Sequence, residues 1–186
     1  MPKCKHCLTK FEVKFFNQKF CISNDECREA ATQFAIEQKE KNFKKDRVKD
    51  TKQRREALLT HSEWLKLLQA VFNTYIRERD KKAGYGCISC GTKKNIQYAA
   101  GHYFTVGGFP NVRFDEDNLH LQCNKFCNME LSGNIINYRP ALIERIGVER
   151  FEALEYRARN GVLKLSIPEI KEKIAYYKEK IKELKL

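Results

Sequence analysis

The spacing of apolar and polar positions divides the chain into stretches that can pack and one long stretch that cannot. Trp64, Leu65, Leu68, Val71, Phe72, Tyr75 and Ile76 recur at steps of three and four, which predicts an amphipathic helix from Thr60 to about Lys82. Thr60-His-Ser-Glu63 supplies its start, because threonine and the glutamate three residues on can satisfy each other's backbone N–H groups. Ser166-Ile-Pro-Glu169 has the same form and opens a last helix striped by Ile170, Ile174, Tyr177, Ile181 and Leu184. That stripe fits either a partner in cis or a second copy of the chain, so a homodimer stays open. Shorter helices are predicted from Cys127 to about Tyr138, around Leu142–Ile146 and around Glu149–Arg159, with Pro140 separating the first two. Ile96-Gln97-Tyr98, Val112-Arg113-Phe114 and Leu119-His120-Leu121 read as short strands around a loop with Gly107, Gly108 and Pro110.

From about Glu26 to Leu59 the pattern predicts a long and very polar helix. Residues 39–55 hold nine lysines and arginines against three acids, with Phe43 and Val48 as the only large apolar side chains. Such a helix cannot bury a face along its length. It is either a solvated linker or a basic arm lying along DNA through Lys44, Lys45, Arg47, Lys49, Lys52, Arg54 and Arg55. The net charge of +12 on the whole chain favours a polyanionic partner without separating DNA from RNA. Met1-Pro-Lys-Cys4 leads straight into a cysteine pair instead of an apolar leader, and no run of about 18 apolar residues is available to span a membrane. A cytoplasmic protein with no membrane partner is the expectation, placed in the bacterial host cell if a phage encodes it.

The eight cysteines fall into two quartets, Cys4-x2-Cys7 with Cys21-x5-Cys27 and Cys87-x2-Cys90 with Cys123-x3-Cys127. In a reducing compartment, paired cysteines are metal ligands before they are disulfides, so two structural Cys4 zinc sites are expected. The first would build a zinc ribbon over residues 1–30, with Phe11, Val13, Phe15 and Phe20 as a short β-like apolar set and metal binding supplying most of the folding energy. His6 reads as a knuckle residue and not a ligand. The expected fold is α+β and mostly helical: ribbon 1–30, basic linker helix 31–59, zinc-clipped core 60–140 and C-terminal helical region 141–186.

A Cys4 zinc site is closed to substrate, so the second quartet matters for what it holds in place. Between and beside its ligands lie His102, Asn118, His120 and Asn128. Phosphodiester hydrolysis needs a base, a cation to take up charge on the leaving oxygen, and a groove for the phosphate. Histidine suits the first role because its ordinary pKa is about 6.5. Histidine nitrogen and asparagine oxygen can both ligate Mg²⁺, although oxygen is the usual donor.

A hairpin histidine, then Asn-Leu, then a cysteine pair followed by asparagine resembles the HNH (ββα-metal) nucleases. The Cys4 form, with Asn128 directly after Cys127, is similar to endonuclease VII of phage T4, which resolves Holliday junctions. Cys87-Ile-Ser-Cys-Gly91, Ala100-Gly-His-Tyr103, Arg113-Phe-Asp-Glu116, Asn118-Leu-His-Leu-Gln-Cys123 and Leu131-Ser-Gly-Asn134 with Tyr138-Arg139 are similar to the lambdoid phage NinG (Rap) recombination proteins. The N-terminal quartet and the basic helix match that family too.

The resemblance implies an HNH endonuclease core and cleavage of branched recombination intermediates, D-loops and Holliday junctions, with Mg²⁺ or Mn²⁺. It also implies work alongside phage or host recombination proteins. It makes His102 the general base and metal neighbour, Asn118 the brace of the hairpin loop, and Asn128 a metal ligand, for which helix capping is the alternative. Many HNH enzymes carry an aspartate ligand immediately before the base, and here that position is Gly101. His120 is the first candidate for the missing ligand, with a structural role as its alternative and Asp115, Glu116 and Asp117 behind it. Arg113, Ser132, Asn134 and Arg139 are expected to reach DNA, while Ser132-Gly133-Asn134 reads equally as a helix kink. Two rival readings stand against this one. One is a non-catalytic zinc protein that binds nucleic acid as a recombination accessory; the other is an HNH restriction enzyme that prefers a duplex sequence.

Overall fold

Two short cysteine knuckles and one helix with almost nothing to bury account for the first compact unit of the chain, Met1–Leu59. The computed structural model describes residues 1–186, and the second unit is Thr60–Leu186. No helix is long and apolar enough to cross a membrane.

In the first unit, helix α1 runs Asp25–Ala57, capped by Asn24, whose side chain accepts from Cys27 N at 2.8 Å. Cys27 is its only buried residue, as its composition requires. The knuckles are joined by backbone bonds from Cys4 N to Thr9 O and from Lys5 N to Lys19 O, each 2.9 Å. Phe11 and Phe20 are buried there, and Phe20 packs on Phe34 of α1 at 5.5 Å between ring centroids. Val13 and Phe15 are exposed, which corrects the expected four-residue β-like set. The pairing reduces to a single bridge, Lys3 with Lys10, because the segments between ligands are too short to form a ladder.

The second unit is built on two helices that run side by side in the same direction. Helix α2 (His61–Lys82) and the last helix, α5 (Ile167–Lys185), both carry the full capping box. His61 Nε2 bonds Leu165 O at 2.6 Å near their starts, and Lys82 Nζ donates to Glu183 O at 3.3 Å near their ends. Between these, Phe72 and Tyr75 pack on Tyr177. The stripe of α5 is therefore used in cis, and Ile170, Ile174 and Tyr177 are buried. Fully burying each such side chain contributes about 1.5–3 kcal/mol.

Helix α2 also packs against both strands of a small antiparallel sheet, β1 (Tyr98–His102) and β2 (Leu119–Cys123). The register pairs Gly101 with His120 and His102 with Leu119. The expected strand at 112–114 is instead a 3₁₀ turn, Pro110–Val112, opened by the proline. After β2 comes a short, wide helix, Asn124–Glu130, which packs on both strands. Ser132, Gly133 and Asn134 then take left-handed backbone conformations and break the chain before α3 (Ile135–Ile146). Helix α3 continues through Pro140, contrary to the expected division there, and gives up the one backbone bond that proline cannot donate. Helix α4 (Val148–Asn160) packs on the 3₁₀ turn, where Asn111 donates to Arg157 O and Ala158 O. The fold is thus mostly helical α+β with a two-stranded sheet.

Asp80, on the apolar stripe of α2, is the buried charge that ties these parts together. One carboxylate oxygen accepts from Leu121 N at 2.7 Å and Arg145 Nη1 at 3.4 Å, and the other from Arg79 Nε at 2.8 Å. Removing one partner of a buried pair strands the other, at a typical cost of about 3–5 kcal/mol. Asp80→Ala is expected to destabilise residues 60–186 by about that amount. Denaturant unfolding followed through Trp64, the single tryptophan, checks this, and an unchanged midpoint would refute the role given to Asp80.

Candidate active site and metal centres

Each cysteine quartet draws its four sulfurs to within 4.8 Å of one another. A tetrahedral zinc with Zn–S bonds of about 2.3 Å sets its sulfurs about 3.8 Å apart. In the first quartet Cys4–Cys27 is 3.9 Å and Cys7–Cys21 is 3.7 Å. In the second, Cys87–Cys123 is 3.7 Å and Cys90–Cys123 is 3.8 Å. These are metal-ligand spacings, far beyond the roughly 2.0 Å of a disulfide. His6 lies outside the first quartet, with Nδ1 3.6 Å from Cys27 Sγ. The thiols also compete for charge. Burial pushes Cys27 up to about 12, while Cys4, despite its own burial, is drawn down to about 6 by the N–H groups of Cys21, Cys7 and His6. Four thiolates so close together need a cation to be ionised at once.

The second quartet closes the base of the hairpin. Cys123 ends β2, and its sulfur accepts from Cys127 N at 3.3 Å, one turn into the 124–130 helix. Asn134 Nδ2 donates to Cys127 Sγ at 3.5 Å, and Asn134 Oδ1 accepts from Asn137. The Asn134 side chain, expected at DNA, thus makes its bonds at the cysteine quartet and the start of α3. Ser132 and Arg139 are exposed, with Arg139 stacked over Phe151.

At the far end of the hairpin sits His102. Its Nε2 lies 3.3 Å from Arg113 O. A carbonyl accepts only, so Nε2 carries the hydrogen and Nδ1 keeps its lone pair. Burial, with the Arg113 charge adding to it, lowers the His102 pKa to about 4, against the opposing pull of the Arg113 carbonyl. The imidazole is therefore neutral at pH 7. Arg113 is held by Gln69 Oε1 at 2.6 Å and stacks over Phe114. Asn118 is fully buried and braces the loop with three bonds: it accepts from Phe104 N at 2.7 Å and donates to Phe104 O and Val112 O.

His120, the first candidate for the missing ligand, lies buried beside Tyr138. Its Nδ1 lies 3.4 Å from Tyr138 Oη, which also donates to Gly101 O at 2.9 Å. It lines a cavity of about 240 Å³ with Arg79, Arg145 and Arg150, and burial together with those three charges holds its pKa well below the ordinary value. The same cavity is lined by Asp80, Glu116 and Asp117, so its arginines are matched by carboxylates. The reserve candidates are occupied. Asp115 pairs with Arg157 and Asp117 with Arg150 and Arg157, while Glu116 accepts from Tyr75 and Tyr177. Asn128 sits half-buried on the 124–130 helix, its Nδ2 only 3.4 Å from Asn124 Oδ1. Sequence reasoning missed Asp80 and Gln122. Asp80 announced itself as a charge four residues after Ile76, on the apolar stripe; Gln122, fully buried, had no comparable signal.

On α1, Lys44, Arg47, Val48, Thr51, Lys52 and Arg55 share one open face, and Lys45, Lys49 and Arg54 are exposed beside it. Lys52 and Arg54 are partly offset by Glu56 at 3.8 Å and Asp50 at 3.0 Å.

The chain matches the family described as bacteriophage lambda NinG protein over residues 1–186. It is 38% identical over 197 residues to the protein ninG of Escherichia phage 933W, covering 98% of this chain and 93% of that one. It is 37% identical over 202 residues to the protein ninG of Salmonella phage P22 and to that of Escherichia phage lambda, with the same coverage. No solved structure matches. The chain belongs to the bacteriophage lambda NinG family.

Elemental analysis is expected to find two zinc ions per chain, one for each quartet. Cys7→Ser would lose one and leave the Trp64 unfolding transition in place, whereas Cys87→Ser would lose the other and that transition with it. The reverse pattern, or no zinc, would contradict this assignment. For His102 the unfolded chain titrates near 6.5 and the folded one near 4, so as pH falls the unfolded state takes up the proton first. The contribution is fully present above pH 6.5 and drains away as pH falls toward 4. NMR titration should find the His102 ring neutral at about pH 5.5, and a midpoint at the ordinary histidine value would remove it from its buried setting.

Proposed function

We propose that this NinG-family chain is a structure-specific endonuclease that hydrolyses phosphodiesters in branched recombination intermediates, D-loops and Holliday junctions, with an HNH-type site. The observation that carries the reading is His102. Its tautomer is fixed by the Arg113 carbonyl, its ring is neutral, and its free Nδ1 can take a proton from water. A pKa near 4 makes a weak base, but a phosphate seated beside the ring favours the protonated form and raises that value. The Arg113 guanidinium, held by Gln69 and Phe114, supports the reading as a group that can pair with such a phosphate.

Asn118 holds the loop that carries Arg113, and so acts through His102's partner and not on the substrate. Asn128 offers a carboxamide oxygen for Mg²⁺ or Mn²⁺, which would supply charge compensation at the leaving oxygen. The exposed basic face of α1 suits a DNA backbone, and the branch preference rests on the family resemblance.

Holliday-junction, D-loop and linear duplex substrates, incubated with wild type and His102→Ala in Mg²⁺ or Mn²⁺, test this directly. Nicking of the branched substrates and a loss of about 10²–10⁴-fold in His102→Ala are expected, with zinc content unchanged. Equal cutting of all three substrates would defeat the branch preference. Tight, salt-sensitive binding without cleavage in either metal would favour the accessory-protein reading.

A further inference from the structure

Residues 1–22 carry Lys3, Lys5, Lys10, Lys14 and Lys19 against a single acid, Glu12. The same short segment leaves Leu8, Val13, Phe15 and Phe16 in water, the last of them 96% exposed. A cysteine-clipped segment has so little interior that each apolar side chain is needed there, so two adjacent phenylalanines turned outward call for a reason. Its core of Cys4, Phe11, Phe20 and Cys27 closes without them.

The turn that carries the two rings is braced from within. Gln18 is buried, and it accepts from Lys14 N at 2.8 Å and donates through Nε2 to Phe20 O at 2.7 Å. Gln18 N donates to Phe15 O at 3.3 Å, and Asn17 takes the left-handed backbone that reverses the chain. Both ends of the glutamine amide are thus spent on residues 14–20, which holds Phe15 and Phe16 on a loop of one shape.

Phe15 lines an open cleft of about 300 Å³ with Asn17, Lys19, Phe20 and Phe34. The ammonium groups of Lys5 and Lys19, both exposed, each lie 5.1 Å from the centroid of the Phe34 ring. Aromatic faces and free cations therefore share one small surface.

Three kinds of partner would use that surface differently. A duplex turns its phosphates outward and keeps its base faces stacked, so it would engage the lysines and leave the rings idle. An apolar protein surface would engage the rings, but the centre of such an interface is depleted of lysine. An unpaired nucleotide offers a π face and a phosphate side by side, which matches both features.

We propose that this cleft binds single-stranded DNA, with an unpaired base stacked on the Phe15–Phe16 turn and neighbouring phosphates on Lys5 and Lys19. The binding needs neither His102 nor cleavage. The choice of DNA over RNA rests on the nuclease reading, and so does one consequence: a D-loop, with its displaced single strand, offers the cleft what a linear duplex lacks.

The test is fluorescence anisotropy of the zinc-loaded full chain with labelled oligothymidylate, an abasic strand of the same length and a blunt duplex, without Mg²⁺ or Mn²⁺ so that nothing is cut. Phe15→Ala with Phe16→Ala is expected to weaken oligothymidylate binding by about tenfold. It should leave the abasic strand and the duplex bound as before, with both zinc ions retained, because the two rings are exposed. Phe16→Trp keeps a stacking surface, and its emission over the Trp64 background is expected to be quenched by oligothymidylate and not by the duplex. Wild-type affinity in the double variant, an equal loss on the abasic strand, or an unquenched tryptophan would overturn the assignment. Tighter binding of oligouridylate would give the cleft to RNA instead, and self-association abolished by the double variant would give it to a second copy. If oligothymidylate binds through Phe15 and Phe16 but no substrate is cut, only the nuclease reading falls. His102-dependent cutting with unchanged single-strand binding in the double variant removes only the cleft.

Discussion

The convergence of Cys87, Cys90, Cys123 and Cys127 is the constraint on which the second unit depends. Two strands of five residues are marginal on their own. Here the end of β2 and the start of the next helix are fixed by ligands four residues apart, and the 87–90 knuckle lies along the outer edge of β2. From that knuckle Ile88 N donates to Leu121 O at 2.8 Å, so the free edge is covered without a third strand. Ser89 meets Gln122, and Tyr98 Oη closes the following loop onto Thr92 O and Lys94 O. The cysteine quartet thereby anchors the base of the hairpin, and the register decides which side chains share a face.

Within that frame, nearly every polar group in the interior has a partner. Asn118 spends all of its side chain on the loop, and Asp80 spends both oxygens on β2 and two arginines. These bonds keep Arg113 O at His102 and keep Arg145 and Arg79 around His120. His120 is buried and His102 half-buried, and desolvation lowers the pKa of both, yet their surroundings differ in kind. His102 has a carbonyl on one nitrogen and a free lone pair on the other, whereas His120 lies against the Tyr138 hydroxyl in a cavity lined by both arginines and carboxylates. The same residue type thus keeps one ring nitrogen open at one position and is enclosed by packed side chains at the other.

Much of this was legible in the chain. Both capping boxes, the apolar stripes of α2 and α5, the uncapturable polarity of α1 and the pairing of cysteines into quartets follow from local chemistry, and each appears in the structure. What was not legible depends on contacts between distant residues. The strand expected at 112–114 gave way to a 3₁₀ turn because Pro110 and the Asn118 brace shape that loop together. The helix through Pro140 is held by burial of Tyr138 and Leu142 on either side, which no local rule weighs. His120 is the first candidate for the ligand that Gly101 lacks, but what surrounds it follows from the cross-strand register and from α2 and α3, which no local pattern shows.

The electrostatics of the candidate site follow from the same arrangement. Every carboxylate within the 115–117 stretch is bound, to Arg150, Arg157, Tyr75 or Tyr177, so none is left to repel a phosphate. The groups that remain are a neutral imidazole, neutral carboxamides and the Arg113 guanidinium. Such a set is poorly matched to a lone dication, which wants negative ligands, and well matched to an anion. A phosphate entering it raises the basicity of His102 and supplies the charge that the carboxamides lack. That balance fits the proposed nuclease reading, in which the phosphate to be cut and the cation would enter the site together.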